Sequence, residues 1–251
     1  MTGSNQEWLV PPEDLTLLED EVHVWRASME QPEATIQNLR QILAADELVK
    51  AGRFHFEKDR NHFIVAHGLL RTLLGCYLHM HADRVRFCVN NYGKPSLDPS
   101  VHEQPLNFNM SHSHKLALYA FTFQRQVGID VEYMRAEVDF EGVARHSFSP
   151  VEQGVLHTLP IEARKQVFYN CWTRKEAYIK ARGMGLSLSL DLFDVSMRSD
   201  EPAALLTSRE DARETGRWRF EELMPGDGYA GALVVEGDGW QLHCYRAELF
   251  L

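Results

Sequence analysis

Val127-Gly128-Ile129-Asp130-Val131-Glu132 is the stretch on which the reading of the chain turns. Side chains on a strand alternate between two faces. Val127, Ile129 and Val131 therefore share an apolar face that belongs to a core, and Asp130 and Glu132 share the other. The two carboxylates lie ~7 Å apart along a rigid element. Gly128 shares their face and carries no side chain, which leaves an open position beside Asp130. Such a pair suits a hard divalent cation that takes its other ligands from phosphate oxygens and water, as Mg2+ does. The same pattern also fits the solvated face of an antiparallel sheet, although aspartate is depleted in strands.

The segments on either side give the fold class. Upstream, Leu106, Phe108 and Met110 alternate with Asn107, Asn109 and Ser111, and Leu116 to Phe123 returns as a second strand. Further back, Glu21 to Ala27 alternates as a strand, Pro32 to Arg53 reads as one helix, and Lys58 to His79 as a stronger one. The apolar stripe of the latter is Phe63, Ala66, Leu70, Leu73, Leu74 and Tyr77, with Arg60, His67 and Arg71 off it. Val85 to Val89 is a short strand, and residues 1–20 read as irregular around Pro11-Pro12.

Downstream, Ser149-Pro-Val-Glu152 has the residue order of a helix start. Residues 162–182 read as a long helix stopped by Gly183. Phe193–Met197, Trp218–Leu223, Tyr229–Val235 and Trp240–Ala247 read as strands. Both halves carry helices against a few strands at similar length. The expectation is an α+β fold of two similar subdomains, 1–126 and 127–251, meeting near residue 126.

Composition narrows the function classes. The chain has 251 residues, 44% hydrophobic and 25% charged, as in ordinary globular proteins. No run approaches the ~18 apolar residues that a spanning helix takes. No secretory signal is read in Met1 to Glu7. The cysteines Cys76, Cys88, Cys171 and Cys244 fit no zinc or redox spacing and suit a reducing cytoplasm. A net charge of −10 disfavours bulk nucleic-acid binding but not a local cationic patch for a polyanionic ligand.

Other segments carry polar chemistry. Glu176 and Lys180 share a helix face at i, i+4, one turn beyond Trp172. They are either a surface ion pair or a third metal carboxylate, with Lys175 and Lys180 neutralising a phosphate. Ser111 and His112 end a strand, where both can donate to phosphate oxygens. Neighbours on a strand point to opposite faces, which disfavours a direct nucleophile–base relay between them. His112 and His114 with His79 and His81 form a weaker zinc candidate, since zinc needs three or four convergent ligands. Gly93-Lys94-Pro95 is turn chemistry.

Tyr92-Gly-Lys-Pro95, Phe108-Asn-Met-Ser-His-Ser113, Gly128-Ile-Asp-Val-Glu132 and Trp172-Thr-Arg-Lys-Glu-Ala-Tyr-Ile-Lys180, in that order, resemble the Sfp-like class of the 4′-phosphopantetheinyl transferase superfamily. The resemblance covers roughly residues 45 to 196, and Leu15 to Trp25 further resembles a subgroup with cyanobacterial members. It implies a pseudo-twofold monomer with coenzyme A between two α+β subdomains. By position, Asp130, Glu132 and Glu176 would hold Mg2+, and Lys180 would contact the pyrophosphate. Ser111 and His112 would contact coenzyme A phosphates, and Lys94-Pro95 would lie along the adenine. Lys50 and Arg53, with Arg60 possible, would grip the 3′-phosphate, although Glu47 stands where some relatives are basic.

The implied reaction moves the phosphopantetheine arm of coenzyme A to a serine of an apo acyl or peptidyl carrier protein. Glu176 would take the serine proton directly or through a water, with Glu152 as the alternative base; Glu152 also fits a helix cap. The implied setting is cytoplasmic, with no membrane or nucleic-acid partner and with Val151 to Leu159 contacting the carrier. Competing classes are a coenzyme A or nucleotide binder without transfer, and a metal hydrolase using the histidines.

Overall fold

The computed structural model describes residues 6–135 and 137–250. Two units of like order follow one another. The first runs through β1 (Glu21–Ser28), α1 (Glu33–Gln41), α2 (Ala45–Ala51) and α3 (Glu57–Tyr77). It continues through the hairpin β2 (Phe87–Val89) and β3 (Pro95–Leu97) to β4 (Leu106–Ser113) and β5 (Leu116–Phe123). The second repeats the order with β6 (Val127–Tyr133), α4 (Phe140–Ser147), α5 (Pro150–Thr158) and α6 (Ile161–Arg182). A hairpin of β7 (Phe193–Val195) and β8 (Leu205–Ser208) precedes β9 (Trp218–Leu223) and β10 (Tyr229–Glu236). In each unit the first strand pairs antiparallel with the last, and the last with the one before it, giving β1-β5-β4 and β6-β10-β9. The fold is the α+β arrangement of two similar subdomains that the sequence led us to expect.

The chain end departs from that division. β11 (Gln241–Arg246) leaves the second unit and adds to the free edge of β1 in parallel, His23 opposite His243. The first sheet is therefore completed from the far end of the chain.

Burial explains these elements. The stripe of α3 is buried from Phe63 to Tyr77 against Trp25, Tyr119 and Phe121. The apolar face of β6 packs between the sheets, where Val127, Ile129 and Val131 meet Val22, Val24, Leu118 and Ala120.

Three local expectations are corrected. The helix over 32–53 is two helices, broken at Ile42 to Ala44. Glu47 accepts the Ala44 N–H at 2.8 Å, so its carboxylate satisfies a donor at the start of α2. Arg71 is not off the buried face: it is 2% exposed and binds Glu47 at 2.6 Å. β8 was not foreseen; Leu205 is buried in the core of the second unit while Leu206 is exposed.

Candidate active site

Gly128 determines how closely α6 approaches β6. A Cβ there would lie 2.1 Å from the Ala177 carbonyl oxygen and 2.3 Å from the Ala181 nitrogen. The position next to Asp130 is thus filled by helix backbone rather than left open for a ligand. The same contact brings Glu176 and Lys180, each one residue before those alanines, over the acidic edge of β6. Helix α6 ends at Gly183, whose φ of 66° supplies the left-handed cap. Asn90 Nδ2 donates to the Gly183 carbonyl at 2.7 Å and ties that end to the first unit.

Asp130 is 3% exposed. Its Oδ1 accepts from Lys180 Nζ at 2.6 Å and from Ser111 Oγ at 2.8 Å. Lys180 Nζ also lies 3.0 Å from Ser111 Oγ and 3.3 Å from the Ile129 carbonyl. Asp130 Oδ2 is buried without a hydrogen-bond partner. Burial raises the Glu132 carboxyl above the ordinary range, and the Asp130 charge adds to this. Glu176 is pushed up to about 7, first by burial and then by Asp130, with Lys180 opposing. The three carboxylates therefore share one field, with a single ammonium against them. Among the described residues no three His, Cys, Asp or Glu side chains are gathered into a ready metal cage.

At one end of the groove between the units, Asn90, Lys94, Pro95, Asn107, Phe108 and Gln126 line a cavity of about 320 Å³.

Comparison with known proteins gives the family. A family model described as "4'-phosphopantetheinyl transferase superfamily" matches residues 126–234, and one described as "4'-phosphopantetheinyl transferase, N-terminal" matches residues 23–124. The 4'-phosphopantetheinyl transferase HetI of Nostoc sp. is 42% identical over 234 residues, 93% of this chain and 95% of that one. The chain belongs to the 4′-phosphopantetheinyl transferase superfamily. The 4'-phosphopantetheinyl transferase Sfp of Bacillus subtilis is 30% identical, covering 68% of this chain and 75% of its own. The crystal structure of Thermotoga maritima holo-[acyl-carrier-protein] synthase aligns with 45% of this chain and 63% of its own, at 25% identity and a TM-score of 0.37.

The remaining candidates of the transferase divide between the cleft and the interior. Lys50 and Arg53 are exposed at and after the end of α2, with Lys50 Nζ 5.3 Å from the centre of the Phe63 ring. Arg60 Nε is buried without a partner. Desolvation at the cleft wall, then His67, His62 and Lys180, lower the His112 pKa, although its side chain reaches solvent. Sequence reading placed His67 off the stripe of α3 without giving it a role, and passed over His62. Lys94 turns inward: its Nζ donates to the Val127 carbonyl at 3.0 Å and the Ala181 carbonyl at 3.3 Å, and desolvation lowers its pKa to about 8.

Lys175 and Glu152 are placed away from the cleft. They form an ion pair at 2.8 Å with side chains 0% and 2% exposed. Lys175 Nζ also donates to the carbonyls of Leu190 at 2.7 Å and Phe193 at 2.6 Å, so it has no path to a phosphate. Glu152 accepts from the Ser149 N–H and the Val195 N–H, both at 2.9 Å. Of its two readings, the capping geometry is the one present. The zinc candidates also separate. His79 and His81 line another cavity with Cys76 and Met80, while His112 stands near His62, His67 and Lys180. Among the described residues no helix is long and apolar enough to cross a membrane.

Proposed function

We propose that this transferase moves the 4′-phosphopantetheine arm of coenzyme A to a serine of an apo carrier protein, releasing adenosine 3′,5′-bisphosphate, with Mg2+ as cofactor. The observation that carries this reading is the common field of Asp130, Glu132 and Glu176 around Lys180 in the cleft between the two units. Burial and the mutual repulsion of the carboxylates raise Glu132 and Glu176, with Lys180 opposing at both and Arg135 at Glu132. Asp130 Oδ2, buried without a partner, has lone pairs free for a ligand. Mg2+ is commonly held by one or two carboxylates together with substrate phosphates, so a full protein cage is not required. Asp130, Glu132 and Glu176 would hold the ion. When bound, it polarises the phosphoryl oxygens and spreads the charge that builds on the leaving group.

The chain's own residues supply the rest. The carrier serine oxygen bonds to the phosphorus nearest the pantetheine, and the bond from that phosphorus to the bridging oxygen breaks. The electron pair leaves with the bisphosphate. Lys180 donates toward the oxygen that gains charge, and a donor aimed at developing charge is commonly worth ~10²–10³ in rate. Glu176, with its pKa near 7, takes the serine proton at neutral pH. Ser111 and His112 hydrogen-bond phosphate oxygens, and Lys50 and Arg53 bind the 3′-phosphate. Pro95 and the stem of Lys94 wall the cavity that takes the adenine. Val151, 60% exposed at the start of α5, lies in the segment that meets the carrier. The free thiols suit a cytoplasmic protein, and the site as described is built within one chain.

The test incubates the protein with coenzyme A, Mg2+ and purified apo carrier proteins and weighs the carriers. The expected result is a gain equal to one phosphopantetheine arm. No gain on any acyl or peptidyl carrier overturns the reading.

A further inference from the structure

We infer that Ser113 is a positioning residue that holds Glu132 toward the cation bound in the cleft; this rests on the magnesium reading above. Strands β4 and β6 lie in different sheets and share no ladder. Alternate side chains of β4 join them instead. Asn109 Oδ1 accepts the Ile129 N–H at 2.9 Å, and Ser111 Oγ donates to Asp130 Oδ1 at 2.8 Å. Ser113 Oγ donates to Glu132 Oε2 at 2.7 Å and accepts the Tyr133 N–H at 3.1 Å.

A serine hydroxyl has one proton to give. In Ser113 the Tyr133 N–H directs the lone pairs, so the proton goes to Glu132 and sets the plane of its carboxyl group. One oxygen is engaged and the other is left for a ligand. Asp130 is short and held by both Ser111 and Lys180. Glu132 has one more rotatable bond, so its orientation depends more on a single anchor. Ser113 is 8% exposed, which suits action through Glu132 rather than contact with substrate.

Groups that orient metal ligands from outside typically change metal affinity ~10–100-fold when removed. The experiment titrates Mg2+ into the full-length protein with coenzyme A present, by calorimetry, for wild type, Ser113→Ala and Ser113→Thr. A thermal melt without metal runs alongside. The alanine variant is expected to lose about tenfold or more in Mg2+ affinity. The threonine variant keeps the hydroxyl and the wild-type affinity. If Ser113→Ala does not fold, Ser113→Cys, a weak donor of similar size, replaces it. Unchanged affinity in the alanine or cysteine variant overturns the inference. Equal losses in the threonine and alanine variants also overturn it, since packing then explains both. Wild-type protein that binds no Mg2+ with coenzyme A present sinks the magnesium reading, and this inference with it.

Discussion

Lys180 Nζ stands 2.6 Å from Asp130 Oδ1, with the lysine side chain 28% exposed and the aspartate 4%. The carboxylate is fixed inside the cleft wall and the ammonium keeps a face toward solvent, so the lysine is the mobile partner. Turning fully toward a phosphate would leave the buried Asp130 carboxylate without its cation, a place the proposed Mg2+ would fill. Asp130→Ala removes the carboxylate that Lys180 and Ser111 hold. Carrier modification followed by mass is expected to fall ~10³-fold or more. Asp130→Asn, which keeps the shape and loses the charge, should fall alongside it. An asparagine variant of wild-type rate refutes the role of the charge.

Glu152 and Glu176 should separate by readout. Removing one partner of a buried ion pair typically costs about 3–5 kcal/mol, because the other charge is left unpaired. Glu152→Gln strands Lys175, which is 0% exposed, so its denaturation midpoint should drop while kcat per folded molecule holds. Glu176→Gln relieves like charge and should keep stability. Its kcat is expected to fall by ~10²–10⁴, the usual contribution of a general base. The opposite pattern, with Glu152→Gln stable but inactive, would return Glu152 to the chemistry.

The sequence made legible what one element determines alone. Alternation in 127–132 told which side chains of β6 are core, and i, i+4 spacing put Glu176 and Lys180 on one face. It could not tell what each face meets. Gly128 looked like room for a ligand because strand periodicity is blind to α6, which packs there. Lys175 sits next to Glu176 but points about 100° around the helix, as neighbours do, and that turn carries it into the core. The β4–β6 bridges were hidden for a similar reason. Asn109 and Ser111 read as the polar side of a strand and Ser113 as the turn after it, and only the meeting of two sheets makes them partners of Ile129, Asp130 and Glu132.

Gly128→Ala tests whether helix approach sets the site. Its added methyl would stand 2.1 Å from the Ala177 carbonyl oxygen, which belongs to backbone and cannot swing aside. Overpacking of this kind costs ~1–3 kcal/mol and shifts backbone. The variant should lose stability and, under conditions where it remains folded, lose transfer rate as Lys180 moves off Asp130. A folded alanine variant with full activity would show that the close approach is not needed.

Stability should also depend on pH through a group far from the chemistry. His23 is 2% exposed, with Nδ1 2.8 Å from the Tyr77 hydroxyl. That hydroxyl accepts the Trp25 Nε1–H at 2.8 Å, so its own proton points to His23 Nδ1. Nε2 then carries the imidazole proton and faces Glu21 at 3.3 Å. Charging the ring would put a second donor against Tyr77. Burial lowers the His23 pKa from 6.5 to about 4; Glu21 opposes this and His243 adds to it. The folded state therefore holds the ring neutral while the unfolded chain takes a proton below about 6.5. Stability is fully present above that pH and is lost as pH falls toward 4, by on the order of 3 kcal/mol. Urea midpoints for wild type and His23→Gln across that window check this. The variant, which cannot titrate there, should show a shallower fall by about one proton. Equal slopes in the two proteins would mean that His23 titrates alike in both states and that the loss at low pH comes from other groups.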